Sequence, residues 1–318
     1  SQTLNETSKT QIFTSCYLFP ARFAAKEECM TDTGRQSAAS NVSLALRAWN
    51  IRRKALLMGE VQGQGYIGQA LGVADVLAAS YFHALTYDPK DPEWEGRDRF
   101  LLSIGHYAIA LYAVLMEAGI LPEEELGTYG MDDSRMPMSG MASYTPGMEI
   151  TGGSLGQGLG IAVGMAMGLK RKKNPAFVYN LMSDGELGEG STWEAVMSAV
   201  QHRLDNLICL VDFNDQQADG KSTDALAKGD ERAKWEAFGW HVLEIDGNDI
   251  EAVIDACAMA RAVTEKPTCI IAYTVPGKGV DFMEYDFHWH GVAPDHAQAK
   301  KALAELRTLQ GKIRSEHE

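Results

Sequence analysis

Asp184 and Asn214, thirty positions apart, are the side chains whose surroundings most directly suggest chemistry. Asp184 follows a short apolar run, Phe177 to Met182, in the triplet Ser183-Asp184-Gly185. Asn214 follows a second run, Leu207 to Val211, in Asp212-Phe213-Asn214. Runs of this length suit buried strands. Between them, Ser191-Thr192-Trp193-Glu194 has the spacing of a capping box and predicts a helix to about Arg203. Strand, helix and strand then form a crossover unit with parallel strands, and both strand ends face one crevice. Ligands bind at that edge of open parallel sheets. A carboxylate, an amide oxygen and a main-chain carbonyl after Asn214 are hard oxygen donors that suit magnesium or calcium. Three protein ligands leave positions open, so the expected chemistry is a divalent cation anchoring a diphosphate. The competing reading is that Asp184 only caps the next turn and Asn214 only makes a turn hydrogen bond.

The elements that must position these groups extend through most of the chain. From Val42 the apolar spacing predicts a helix through Met58, followed by Gly63-Gln64-Gly65-Tyr66-Ile67-Gly68. Those glycines match GxGxxG, but a helix precedes them where a dinucleotide site needs a strand. Asp98 to Ser103 predicts a strand that turns at Gly105-His106 into a helix from Tyr107 to Ala118. Residues 151–169 carry a density of glycine that requires a ligand, a backbone or a tight helix seam close by, since each helical glycine costs about 1 kcal/mol against alanine. Further helix and strand signals follow at Glu231 to Phe238, at Trp240 to Asp246, at Asp249 to Val263 and at Thr268 to Thr274. The alternation predicts an α/β fold: a doubly wound, mostly parallel sheet with helices on both faces.

Together these residues resemble the thiamine diphosphate fingerprint, an Asp-Gly followed after about thirty residues by an asparagine and a short loop. In detail they are similar to transketolases, whose Asp-Gly-x-Leu-x-Glu-Gly and Trp-Glu-Ala segments match Asp184 to Gly190 and Trp193 to Ala195. The likeness runs from about Ala45 to Ala297. It implies thiamine diphosphate as cofactor, with Mg2+ or Ca2+ held by Asp184, Asn214 and the carbonyl of Gln216. Gly185 would lie against the diphosphate with Glu186 among the cofactor-binding residues, and Glu189 would sit near a partner-chain interface. Gly153, Ser154 and Leu155 would face the thiazolium and pyrimidine rings. His106 and His290 would be the catalytic, cofactor-proximal histidines, with Lys278 holding the closing loop. Two departures fall in the substrate pocket: Tyr66 and Met141 stand where transketolases carry histidines.

The resemblance also implies what a companion must bring. Full-length transketolases continue with a domain whose glutamate activates the cofactor, and no segment here matches it. The chain is therefore expected to be the N-terminal subunit of a split transketolase, transferring a two-carbon ketol unit from a ketose (phosphate) to an aldose. It would work with a C-terminal subunit in an α2β2 assembly on small sugar phosphates. Residues 1–40 form an extension without assigned function, 41–300 the cofactor domain and 301–318 a helical tail. Rival readings are a 2-oxo-acid decarboxylating or deoxyxylulose-phosphate-type subunit, and a noncatalytic diphosphate-binding scaffold.

Composition narrows the classes further. A 318-residue chain with 45% hydrophobic and 23% charged residues is ordinary for a globular protein. A net charge of -14 argues against nucleic-acid and anionic-membrane partners. No apolar run reaches the roughly 18 residues of a spanning helix. Five cysteines without a CxxC pair point to reduced thiols and a cytoplasmic setting. The segment after Asp212 is not a calcium loop, because its sixth position is Gln217, not glycine. His288 and His290 lack a third ligand at metal spacing.

Overall fold

A computed structural model describes residues 43–217, 220–226 and 229–317, the last ten by backbone alone. The expected extension, residues 1–40, lies outside them. The chain runs through α1 (Leu44–Gln62), α2 (Ile67–Ala79), β1 (Arg99–Leu102), α3 (Ala108–Glu117), α4 (Gly158–Arg171) and β2 (Val178–Ser183). It continues with α5 (Gly190–Gln201), β3 (Leu207–Phe213), a small ribbon of β4 (Gln216–Gln217) and β5 (Gly220–Lys221), and α6 (Ser222–Ala225). The last elements are α7 (Glu231–Ala237), β6 (His241–Asp246), α8 (Ile250–Ala262), β7 (Thr268–Tyr273) and α9 (His296–His317). The five long strands pair in parallel in the order β1-β2-β3-β7-β6.

Alternate residues of each strand feed two cores. Phe100 and Leu102 of β1, with Tyr179 and Leu181 of β2, pack on α1, α2, α3 and α8. Leu101, Val178 and Met182 pack on the opposite face against α4, α5 and α7. A central parallel strand so covered must be apolar on both sides, which is why β2 and β3 read as unbroken runs. The doubly wound α/β architecture expected from the alternation is what forms. Cys209 and Cys269 are neighbours in the register of β3 and β7, both buried and free. No helix among the described residues is long and apolar enough to cross a membrane.

Two local expectations are corrected. The capping box at Ser191 does not form. α5 begins at Gly190 with Glu189 as its N-cap, without a side-chain cap bond. Ser191 Oγ instead donates to the carbonyl of Gly156 (2.9 Å) and Thr192 Oγ1 to that of Glu186 (2.9 Å), so both hydroxyls stitch loops to the helix. The glycines of α4 also divide. A side chain at Gly158 would meet Ser103 Oγ at 2.3 Å, whereas at Gly160, Gly164 and Gly168 it would meet, among the described residues, nothing within 4 Å beyond the helix itself. Close packing inside the chain therefore accounts for the first and not for the other three.

Candidate active site

The register of β2 and β3 brings the two key strand ends together. Ser183 pairs with Asp212, and the next residue, Asp184, donates its N–H to the carbonyl of Asp212 at 3.1 Å. Asp184 is fully buried and opens a single 3-10 turn, Gly185–Gly188, without capping it through its side chain. The turn-capping alternative is thus not what the carboxylate does. Asn214 does make the turn bond: its Oδ1 accepts from Gln216 N at 2.9 Å. Its amide nitrogen, however, is committed inward, donating to Asp212 Oδ2 (2.7 Å) and to Tyr107 Oη (2.9 Å). An amide fixed by its nitrogen keeps its oxygen, with a second lone pair, on the loop side.

Beneath the pair, Asp212 is a hub. Tyr107 Oη (3.0 Å) and Asn214 Nδ2 donate to one carboxylate oxygen, and Thr274 Oγ1 (2.5 Å) donates to the other. Burial pushes the Asp212 carboxyl up to about 6, against the pull of the three donors. Burial, then the charges of Asp212 and Asp184, push the Tyr107 hydroxyl well above its ordinary value. Asn214 thus bonds the Tyr107 hydroxyl directly, and the charge of Asp184 bears on the same group. Among the described residues no cluster of three His, Cys, Asp or Glu side chains could hold a metal. A set made of one carboxylate, one amide oxygen and one main-chain carbonyl contains only one such side chain. Its all-oxygen chemistry fits Mg2+ or Ca2+.

Beside this set, three loops are laced by main-chain bonds. Gly140 N donates to Gly105 O (3.0 Å) and Gly152 N to Gly140 O (3.0 Å). The outer two touch directly, since a side chain at Gly105 would lie 2.3 Å from the carbonyl carbon of Gly152. His106, Met141 and Gly153 each follow one of the laced glycines, so residues far apart in sequence share one wall. Gly153 and Ser154 are exposed, and Leu155 and Met141 are half-buried. Glu186 supports this wall from behind. Fully buried, it accepts from Ser103 Oγ (2.5 Å), Gly156 N (2.9 Å) and Ser183 N (3.2 Å), and burial raises its carboxyl above the ordinary range. Both of its oxygens take donors from the chain itself, at Ser103, Gly156 and Ser183, which fixes the side chain behind the wall. Glu189 stays exposed at the start of α5.

The other wall is aromatic. Tyr66, at the N-terminus of α2, lies 4.4 Å from the His106 ring and 5.5 Å from that of His290, centroid to centroid, and the two histidines are 6.3 Å apart. His290 arrives on the closing loop, which docks on α2 where Gly277 N donates to Gly68 O at 2.7 Å. Glycine is required at 277, whose φ is +78° and whose side chain would strike the Met283 backbone at 2.4 Å. The GxGxxG stretch lies between two helices, as read, and serves this docking.

Burial lowers both His106, which also faces His290, and His290 to about 4. Both are neutral at pH 7 and unfold into chains that protonate near 6.5. The unfolded state then binds more protons between pH 6.5 and 4, so stability is full above 6.5 and is lost as pH falls toward 4. Chemical unfolding of His106→Asn at pH 7 and pH 4.5 is expected to show a loss smaller than the wild type's by roughly 2–3 kcal/mol. Equal losses would contradict the buried neutral imidazole.

The sequence matches the family model described as the transketolase thiamine diphosphate binding domain over residues 47–308. The chain belongs to the transketolase family. A transketolase family protein of Sinorhizobium fredii is 68% identical over 245 residues, 77% of this chain and 88% of that protein. A protein of Actinobacillus succinogenes, named as one subunit of an apulose-4-phosphate transketolase, is 40% identical, covering 83% of this chain and 96% of that one. The solved transketolase of Leishmania mexicana superposes with a TM-score of 0.79 at 31% identity, over 83% of this chain and 41% of that chain. This transketolase-family chain thus spans nearly the whole of the subunit-sized relative and about two-fifths of the solved enzyme. The family, the fold and the transferase class read from the sequence are borne out.

Sequence reading passed over four residues of this transketolase site. Tyr107, Thr274 and Ser103 gave no motif. Asp212 stood in plain view two residues before Asn214, and the alternation of β3 could have flagged it as a charge inside a buried strand.

Proposed function

We propose that this chain is the cofactor-binding subunit of a two-subunit transketolase, moving a two-carbon ketol unit from a ketose or ketose phosphate to an aldose. The observation that carries the proposal is that Asp184 and Asn214 are both hydrogen-bonded to Asp212 at adjoining ends of parallel strands, beside the laced glycine loops. Asp184, Asn214 and the Gln216 carbonyl would hold a divalent cation, with Mg2+ the best match to an oxygen set that leaves room for diphosphate oxygens. Gly185, Gly153, Ser154 and Leu155 would line the cofactor. Thiamine diphosphate, when bound, supplies the electron sink for carbon–carbon cleavage.

The protein's own groups position and donate. His106 and His290, neutral at working pH, would hydrogen-bond the reacting oxygens of the sugar, and the half-buried walls would exclude water from them. Glu189, exposed at the start of α5, would meet a companion subunit, which supplies the activating glutamate and most sugar-phosphate contacts. The naming of the Actinobacillus relative as one subunit supports this division. Assays of the chain alone, the companion alone and the mixture, each with thiamine diphosphate and Mg2+, test the proposal. Ketol transfer is expected in the mixture only; full activity of the isolated chain would contradict it.

Tyr66 packs against both histidines, so its exchange changes the sugar's surroundings and leaves the cation set untouched. Tyr66→His is expected to shift the ratio of kcat/KM between two donor sugars about tenfold or more, an effect of roughly 1–3 kcal/mol, with cofactor affinity within about threefold of wild type (under about 1 kcal/mol). The reverse pattern would place Tyr66 against the cofactor.

A further inference from the structure

α2 is buried along its whole length, and its residues are apolar or small except for Gln69 and Asp75. Asp75 is accounted for by the Arg52 guanidinium, which pairs with both of its oxygens. Gln69, only 1% exposed, needs a comparable reason, because burying an amide without partners costs about 1–3 kcal/mol. Its Nε2 lies 2.6 Å from Nδ1 of His290, while its Oε1 is buried and without a hydrogen-bond partner. The side-chain amide has therefore given up its oxygen's bond and kept the one to the imidazole. The two residues are 221 positions apart, and the contact exists only because the closing loop docks on α2.

An amide NH2 group can only donate, so the ring nitrogen that faces it must accept. A neutral imidazole whose Nδ1 accepts carries its proton on Nε2, and a second ring proton would set two donors against each other. We propose that Gln69 is a positioning residue that holds His290 in the Nε2–H tautomer, so that His290 presents a hydrogen-bond donor to the sugar oxygen beside the cofactor. The role given to that donor rests on the proposed function; the placement of the proton does not. The low affinity of the buried His290 for a second proton agrees with the same arrangement. Metal-bound histidines show the same division of labour, in which a partner on one ring nitrogen fixes what the other can do, and loss of such partners typically costs 10- to 100-fold.

The test reads the proton directly. Long-range proton–nitrogen correlation spectra of the full chain, labelled with 15N-histidine and with His290 assigned from its loss in His290→Gln, report which ring nitrogen is protonated. Wild type is expected to show protonated Nε2 and unprotonated Nδ1. Gln69→Leu, which removes the donor, is expected to populate both tautomers. Gln69→Glu, which offers an acceptor, is expected to place a proton on Nδ1. In the companion-completed enzyme, kcat should fall roughly 10- to 100-fold in Gln69→Glu, with a smaller change in KM. A wild-type spectrum with the proton on Nδ1 would overturn the inference, as would variants whose His290 signals match wild type. The wild-type spectrum decides even if a variant fails to fold. Absence of ketol transfer in the wild-type mixture would instead refute the proposed function and leave the tautomer result standing.

Discussion

Asp184→Ala is expected to weaken thiamine diphosphate binding at millimolar Mg2+ by roughly 100- to 1,000-fold, the equivalent of about 3–4 kcal/mol. Asp184 is the one charged side chain in the oxygen set and is fully buried at the end of β2. Inside the protein, an ion pair of this kind is strong because no water replaces the missing partner, and removing one member strands the other. Without Asp184 the cation would face the diphosphate with only an amide and a carbonyl behind it. Calorimetric titrations of the two proteins test this, and superimposable binding curves would remove Asp184 from the site.

The second large effect is expected at Asp212, whose carboxylate is taken up by groups of the chain itself. Three donors converge on its carboxylate: Tyr107 Oη, Asn214 Nδ2 and Thr274 Oγ1. Asp212→Asn keeps the shape but turns one acceptor into a donor, so at least one buried hydroxyl or amide must face an N–H group. At about 1–3 kcal/mol for each unsatisfied buried group, the chain should lose roughly 2–4 kcal/mol of unfolding free energy. Asn214 would also be released to turn its amide, so cofactor binding should weaken as well. Thr274→Val, which removes a single donor, should cost about 1 kcal/mol. Urea unfolding measures both, and a change under about 0.5 kcal/mol in Asp212→Asn would mean that the hub does not hold the strand ends.

Sequence carried the features that are written locally. The apolar runs ending at Ser183 and Phe213 state both the strand and its buried setting. The asparagine and aspartate at their ends stood out as candidates because ligands gather at that edge of a parallel sheet. The capping box at Ser191 misled because the same hydroxyl was claimed by the Gly156 carbonyl, 35 positions away. Local propensity could not foresee that competitor. Glu186 shows a related competition: a carboxylate beside a ligand-binding glycine looks like a ligand contact, and Ser103, Gly156 and Ser183, from three separate segments, also donate to it. Gln69 and Tyr107 were silent because their meaning lies in partners more than a hundred residues away, supplied only when the closing loop and β3 pack beside them.

The most direct measurement of the central claim is a calorimetric titration of thiamine diphosphate into the wild-type chain, once with Mg2+ and once with a chelator in its place. Saturable binding that requires Mg2+ is the predicted result. Binding that is the same with the chelator, or no binding in either condition, would contradict a cation held between the ends of β2 and β3.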